Sequence, residues 1–191
     1  MRAAHRKTLK LRAVSTNTTA NAGVLLQDKE IVMTAAQIFD HVWANAFSNS
    51  SKECSGGVWW SKKRTYKNAV TNELVVANAA VLANATGEKR YLQQALAQWR
   101  WFNHSGMINQ ETGAICDGLS IDKQTFVCTG SGKPSYTYNQ GVIVGGLATL
   151  FGLTEDESLL EAAHLIVRGT MCVHTFLSPL LRFCSPHVQD S

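Results

Sequence analysis

No run of eighteen apolar residues occurs in this 191-residue sequence, so no stretch of it is suited to cross a bilayer as a helix. Proline is scarce. There are three, two of them after position 178, and long segments are left free to be helical. Acid is missing from the first twelve residues, where Arg2, Arg6, Lys7, Lys10 and Arg12 stand. Those five explain the formal charge of +4, because the remainder holds 13 basic residues against 14 acidic ones. A basic tail on a near-neutral body is a solvated segment rather than a phosphate-binding surface, so nucleic acid is not an expected partner. The basic start resembles the first part of a signal peptide, yet no apolar segment follows it, Val14 to Gly23 being polar. Either the protein is not secreted or its true N-terminus lies upstream of this sequence. Hydrophobic content of 45% against 17% charged residues excludes wholesale disorder and suits one globular domain.

The five cysteines, Cys54, Cys116, Cys128, Cys172 and Cys184, show no CxxC spacing and no histidine pairing of the kind zinc requires. Cys116 and Cys128 bracket a polar loop, and two readings stay open for them: a disulfide bridge, or buried free thiols. The histidines at 5, 41, 104, 164, 174 and 187 form no HExxH or triad-like pattern. Gly130 to Ser135 resembles a phosphate loop, but Pro134 stands where Ser or Thr is needed. No metal or organic cofactor is therefore expected. Four N-x-S/T sequons occur, at Asn17, Asn49, Asn84 and Asn103.

What is present in quantity is repetition. Glu30 to Val42, Arg90 to Phe102 and Ser158 to Gly169 superimpose without gaps at offsets of 60 and 68 residues. Ile31, Tyr91 and Leu159 correspond, then Val32, Leu92 and Leu160, then Ala35, Ala95 and Ala163, then Phe39, Trp99 and Val167. Apolar residues at i, i+1, i+4 and i+8 draw one stripe on a helix. Each copy follows a short polar turn supplying Asp, Thr or Glu for the helix start. Before the second and third copies lie segments opening Thr65-Tyr66-Lys67-Asn68 and Thr137-Tyr138-Asn139-Gln140 and continuing with small apolar residues. Small residues permit close approach of helices and suit an inner helix packed on several sides. The unit is a loop, an inner helix, a tight turn and an outer helix. Two complete units are expected, with the outer helix of a preceding one. Its inner helix would fall near residues 5–26, where β-branched, capping-type and glycine residues disfavour a helix interior. The expected organisation is a polar, basic, disordered tail over 1–27, a helical domain over 28–171 and an irregular tail over 172–191, cut at both ends.

Three stretches, GGVWWSKKRTYKNAVTNE (Gly56 to Glu73), SGMINQETGAICDG (Ser105 to Gly118) and YTYNQGVIVGGL (Tyr136 to Leu147), resemble glycoside hydrolase family 76 in order and spacing. The likeness extends over about residues 28–170. It implies an all-α fold of repeated hairpins, part of an (α/α)6 barrel. It further implies an enzyme cleaving α-1,6-linked mannan, or a cell-wall mannan transglycosidase of the same family, secreted or wall-associated in its intact form. The partner implied is α-mannan; oligomeric state is left open. The substrate-binding residues expected are Trp59, Trp60, Tyr66, Asn68, Asn72, Glu73, Asp117, Tyr138, Asn139 and Gln140. Trp59 and Trp60 offer a stacking platform for sugar rings, or else are core aromatics.

Members of this family carry an adjacent Asp-Asp pair on the inner helix before the GGVWW-type loop. This sequence contains no Asp-Asp. Glycoside hydrolysis requires two carboxylates. Glu73 and Asp117, the remaining cleft carboxylates, are expected to bind substrate, and no catalytic residue is assigned. The alternative is a non-catalytic mannan-binding fragment.

Overall fold

The computed structural model describes residues 9–48, 55–122, 124–125, 127–130 and 136–174, with the side chains of 9–15 and 172–174 excepted. Among the described residues six helices form three successive hairpins: α1 (Leu9–Leu26) with α2 (Lys29–Ala46), α3 (Ala69–Thr86) with α4 (Lys89–His104), and α5 (Thr137–Thr154) with α6 (Glu157–His174). Each hairpin turns through two residues, one of them left-handed: Gln27 at φ 55°, Gly87 at φ 71° and Glu155 at φ 57°. Asp28 then caps α2, its carboxylate accepting from the Glu30 and Ile31 amides. The starts of α2, α4 and α6 reproduce the expected 60- and 68-residue offsets.

The hairpins pack internally, and α1, α3 and α5 contact one another in sequence, with α3 in the middle. Burial sets the central inner helix apart. On α3, fourteen of eighteen residues are buried, whereas α4 buries only Tyr91, Ala95, Gln98, Trp99 and Phe102, one face of its length. Ala35, Ala95 and Ala163 are buried as the repeat requires. The third copy departs at its last position: Ile166 is buried and Val167 is exposed.

Residues 9–26 correct the sequence expectation. They form helix α1 rather than a disordered tail, so the first hairpin is complete. Intrinsic propensity is overridden by packing. Thr16 and Ala20 are each 1% exposed, and Gly23 lets the α1 backbone come against Ile31 and Val32 of α2. Small residues made α3 and α5 recognisable as inner helices, and they serve the same purpose in α1. The expected boundary at 171 is also exceeded, since α6 continues to His174. Residues 1–8, the Asn49 sequon and the expected tail from 175 onward lie outside the described residues.

A small antiparallel sheet, not anticipated from the sequence, joins neighbouring units where the inner helices begin. Its strands β1 (Tyr66–Asn68), β2 (Gly118–Ile121) and β3 (Cys128–Gly130) run in the order β1-β2-β3, with Asn68 opposite Gly118. The segment expected to open the second inner helix is thus a strand, and α3 starts only at Ala69. Of the two cysteines that bracket the loop after β2, Cys116 is a free thiol and Cys128 is disulfide-bonded, so they are not bridged to each other.

Candidate substrate site

The loop after α2 folds back along that helix. Ser48 and Gly57 exchange backbone bonds with one another's neighbourhood, and Trp59 N–H donates to the Ala46 carbonyl. Gly56 and Gly57 have φ of 83° and 66° and lie flat against Trp101, whose ring atoms would stand 2.3 Å from an added Cβ at either position. The chain is extended beyond them, so Trp59 and Trp60 point to opposite sides. Trp59 turns inward and is 1% exposed, while Trp60 is 36% exposed with its ring edge-on to Tyr66 at 6.4 Å. Trp59 is accordingly a core aromatic, and the two-tryptophan platform is not formed. Lys67 fills the space beneath: fully buried, its Nζ sits 4.4 Å from the Trp59 ring centre and 5.2 Å from that of Trp101, and donates to the Gly56 carbonyl.

Asn72 is likewise consumed by structure. Its Oδ1 accepts from Val58 N–H at 2.8 Å and from Gln98 Nε2 at 2.8 Å. Its Nδ2 donates to the carbonyls of Val58 at 3.2 Å and Asn68 at 2.8 Å. Gln140 is 1% exposed and donates to the Ile115 carbonyl at 3.2 Å, tying α5 to the preceding loop. Both amides hold loops in place, and Asn72, engaged through its oxygen and its nitrogen, has little left for a ligand.

Two of the expected residues meet directly. Tyr66 Oη donates to Asp117 Oδ2 at 2.6 Å, and the Ala69 amide donates to the Asp117 carbonyl at 2.8 Å. Glu73, one turn into α3, is completely buried, and neither of its carboxyl oxygens has a hydrogen-bond partner. Burial foremost, and then the neighbouring Asp117, holds its pKa well above the usual carboxylate range. The Tyr138 pKa is also shifted upward, first by burial, then by Asp117, Tyr136 and Glu73. Asn68 and Asn139 are buried at the same helix starts, with Asn68 Oδ1 and both Asn139 amide atoms unpartnered.

Sequence reasoning overlooked Tyr136. Its ring stacks on Tyr138 with centres 5.2 Å apart and planes 6° from parallel, and the two are 38% and 42% exposed. Tyr136 precedes α5 in extended conformation, and the Tyr-x-Tyr alternation was the available signal for a shared face. Lys67, Gln98 and Trp101 were missed as supports of the loop. Among the described residues no cluster of three His, Cys, Asp or Glu could hold a metal ion.

Glu73 gives the site a pH signature. The folded chain keeps a proton that the unfolded chain releases above about 4.5, so this group's contribution lowers stability as pH rises from there toward its folded pKa. Glu73→Gln is expected to melt with the parent near pH 4 and above it at pH 8. Parallel pH dependences of the two melting temperatures would refute this.

The model of glycosyl hydrolase family 76 matches residues 12–186. The chain belongs to that family. Family 76 relatives include the mannan endo-1,6-alpha-mannosidase DFG5 of Saccharomyces cerevisiae, 34% identical over 119 residues, 59% of this chain and 25% of that protein. The mannan endo-1,6-alpha-mannosidase DCW1 of Candida glabrata is 32% identical over 126 residues, 63% of this chain and 28% of the relative. The chain thus spans about a quarter of the length of these relatives. Among solved structures, a family 76 glycoside hydrolase from a bovine Bacteroides thetaiotaomicron strain superimposes with a TM-score of 0.77 at 20% identity, over 86% of this chain and 35% of the other. An alpha-1,6-mannanase of Salegentibacter sp. HEL1_6, inactivated by replacing two adjacent aspartates with asparagine and bound to alpha-1,6-mannotriose, gives 0.76 at 17% identity, over 86% of this chain and 47% of that one. The three hairpins are therefore part of the family's (α/α)6 barrel. The match begins at residue 12 and so takes in most of α1, which agrees with its being structured.

Proposed function

We propose that this chain is the mannan-binding portion of a glycoside hydrolase acting on α-1,6-linked mannan, and that by itself it binds the polysaccharide without cleaving it. The observation carrying this reading is the exposed Tyr136–Tyr138 stack where α5 begins, together with the Tyr66–Asp117 hydrogen bond where α3 begins. A pyranose ring presents an apolar C–H face and a rim of hydroxyls. Flat tyrosine and Trp60 faces suit the first, and a fixed carboxylate with phenolic hydroxyls suits the second. The buried, unpartnered amide of Asn139 and the Glu73 carboxyl are further polar groups at the same end.

The names of the yeast relatives support the substrate. The Salegentibacter mannanase, which holds alpha-1,6-mannotriose with its aspartate pair replaced, supports separating binding from cleavage. Here the 191 residues contain no adjacent aspartates, and a fully buried Glu73 with a raised pKa is ill suited to attack a sugar. The intact protein, on this reading, works at a mannan-bearing cell wall.

The test incubates purified chain with α-1,6-mannan and quantifies retained polysaccharide and released sugar in one tube. Retention without product is expected, and Tyr138→Ala is expected to weaken retention about tenfold, equivalent to about 1.4 kcal/mol. Released product would move catalysis onto residues present here. No retention would end the binding proposal.

A further inference from the structure

Three sequons fall on described residues, and the fold treats them differently. Asn17 lies half-buried on α1, its Oδ1 accepting from Asn21 Nδ2 at 3.1 Å. Asn103 is half-buried near the end of α4, where its main-chain and side-chain oxygens both take Gln110 Nε2, at 3.1 and 3.4 Å. Asn84 is exposed on the last turn of α3, just before the left-handed Gly87. From Asn68 at the site to Asn84 the helix axis rises about 24 Å, so Asn84 stands at the opposite end of its hairpin from the tyrosine cluster.

We infer that Asn84, in Asn84-Ala85-Thr86, is an N-glycan acceptor. The co-reactant is a lipid-diphosphate-linked oligosaccharide. The Asn84 amide nitrogen bonds to the anomeric carbon of its first sugar and gives up a proton, the carbon–oxygen bond to the diphosphate breaks, and the lipid diphosphate leaves. The transfer precedes folding, so the folded chain must then accommodate a large hydrophilic group where it was attached. An exposed asparagine beside a tight turn does so without disturbing a packed face, whereas a glycan on Asn103 would have to displace the segment around Gln110. An independent observation points to the same compartment: Cys128 is disulfide-bonded, and disulfides persist where the surroundings are oxidising, as in the secretory lumen.

The full chain, fused to a cleavable secretory leader, is produced in a eukaryotic host, and lysate and medium are both analysed with and without peptide-N-glycosidase F. The expected result is a mobility shift on enzyme treatment, with peptide mass spectrometry locating the amide-to-acid conversion at position 84. Asn84→Gln reduces the shift by one glycan, and so does Thr86→Ala, which leaves the asparagine in place. An unshifted parent chain overturns the inference, as does a glycan on Asn17 or Asn103 with position 84 unoccupied.

Discussion

Trp59→Ala is expected to remove about 3–5 kcal/mol of stability, the usual cost of truncating a fully buried aromatic. Trp59 is 1% exposed, so its loss leaves a cavity under the loop that enters β1. It also strips one of the two indole faces from the buried Lys67 ammonium, which lies 4.4 Å from that ring. Domains are stable by only about 5–15 kcal/mol, so the variant should unfold at a much lower urea concentration than the parent. Trp60→Ala, at a site 36% exposed, should leave the urea midpoint nearly in place while weakening mannan retention. A Trp59→Ala chain that keeps its stability but loses mannan would restore the stacking platform that the inward ring argues against.

The second large effect belongs to Asn72. One side chain satisfies both polar groups of Val58, the Asn68 carbonyl and the Gln98 amide, all buried. Asn72→Ala leaves the Val58 groups and the Gln98 amide without partners, each costing about 1–3 kcal/mol, and about 3–5 kcal/mol in total is expected once the loop relaxes. Amide exchange at Val58 reports the cause directly. It should accelerate by more than the global loss of stability accounts for. Unchanged protection at Val58 would show that the clamp is not what holds this loop.

These two residues also mark where sequence reading reached its limit. The hairpin repeat was legible, because one apolar stripe recurs at fixed intervals and a stripe has one physical meaning on a helix. Helix α1 was not legible, since Ser15 to Asn21 argue against a helix locally and only contact with α2 and α3 reverses that. Tyr66, Glu73, Asp117 and Tyr138 were singled out through the family likeness as substrate-binding, and of these Tyr66 and Asp117 meet directly. The inward turn of Trp59 was undecidable, because in an extended Trp-Trp pair one ring must go in and composition does not say which. Lys67 was invisible as a core residue for a plainer reason: lysine is almost always outside, and two indoles with a carbonyl had to be assembled around it first.

The two ends of the hairpins are built by different means. At one end, neighbouring units are stitched together by the β1–β2 ladder and by the Ala69–Asp117 backbone bond. At the other, each unit closes on itself through a two-residue turn. Change should therefore be tolerated unequally along the molecule. Lengthening a turn at Gln27, Gly87 or Glu155 perturbs one hairpin alone, and peptide tags or duplicated residues can accumulate there with little consequence. A single insertion within β1 or β2 shifts the pairing and relocates Tyr66 relative to Asp117. Insertions are expected to be tolerated at the turns and not at the ladder.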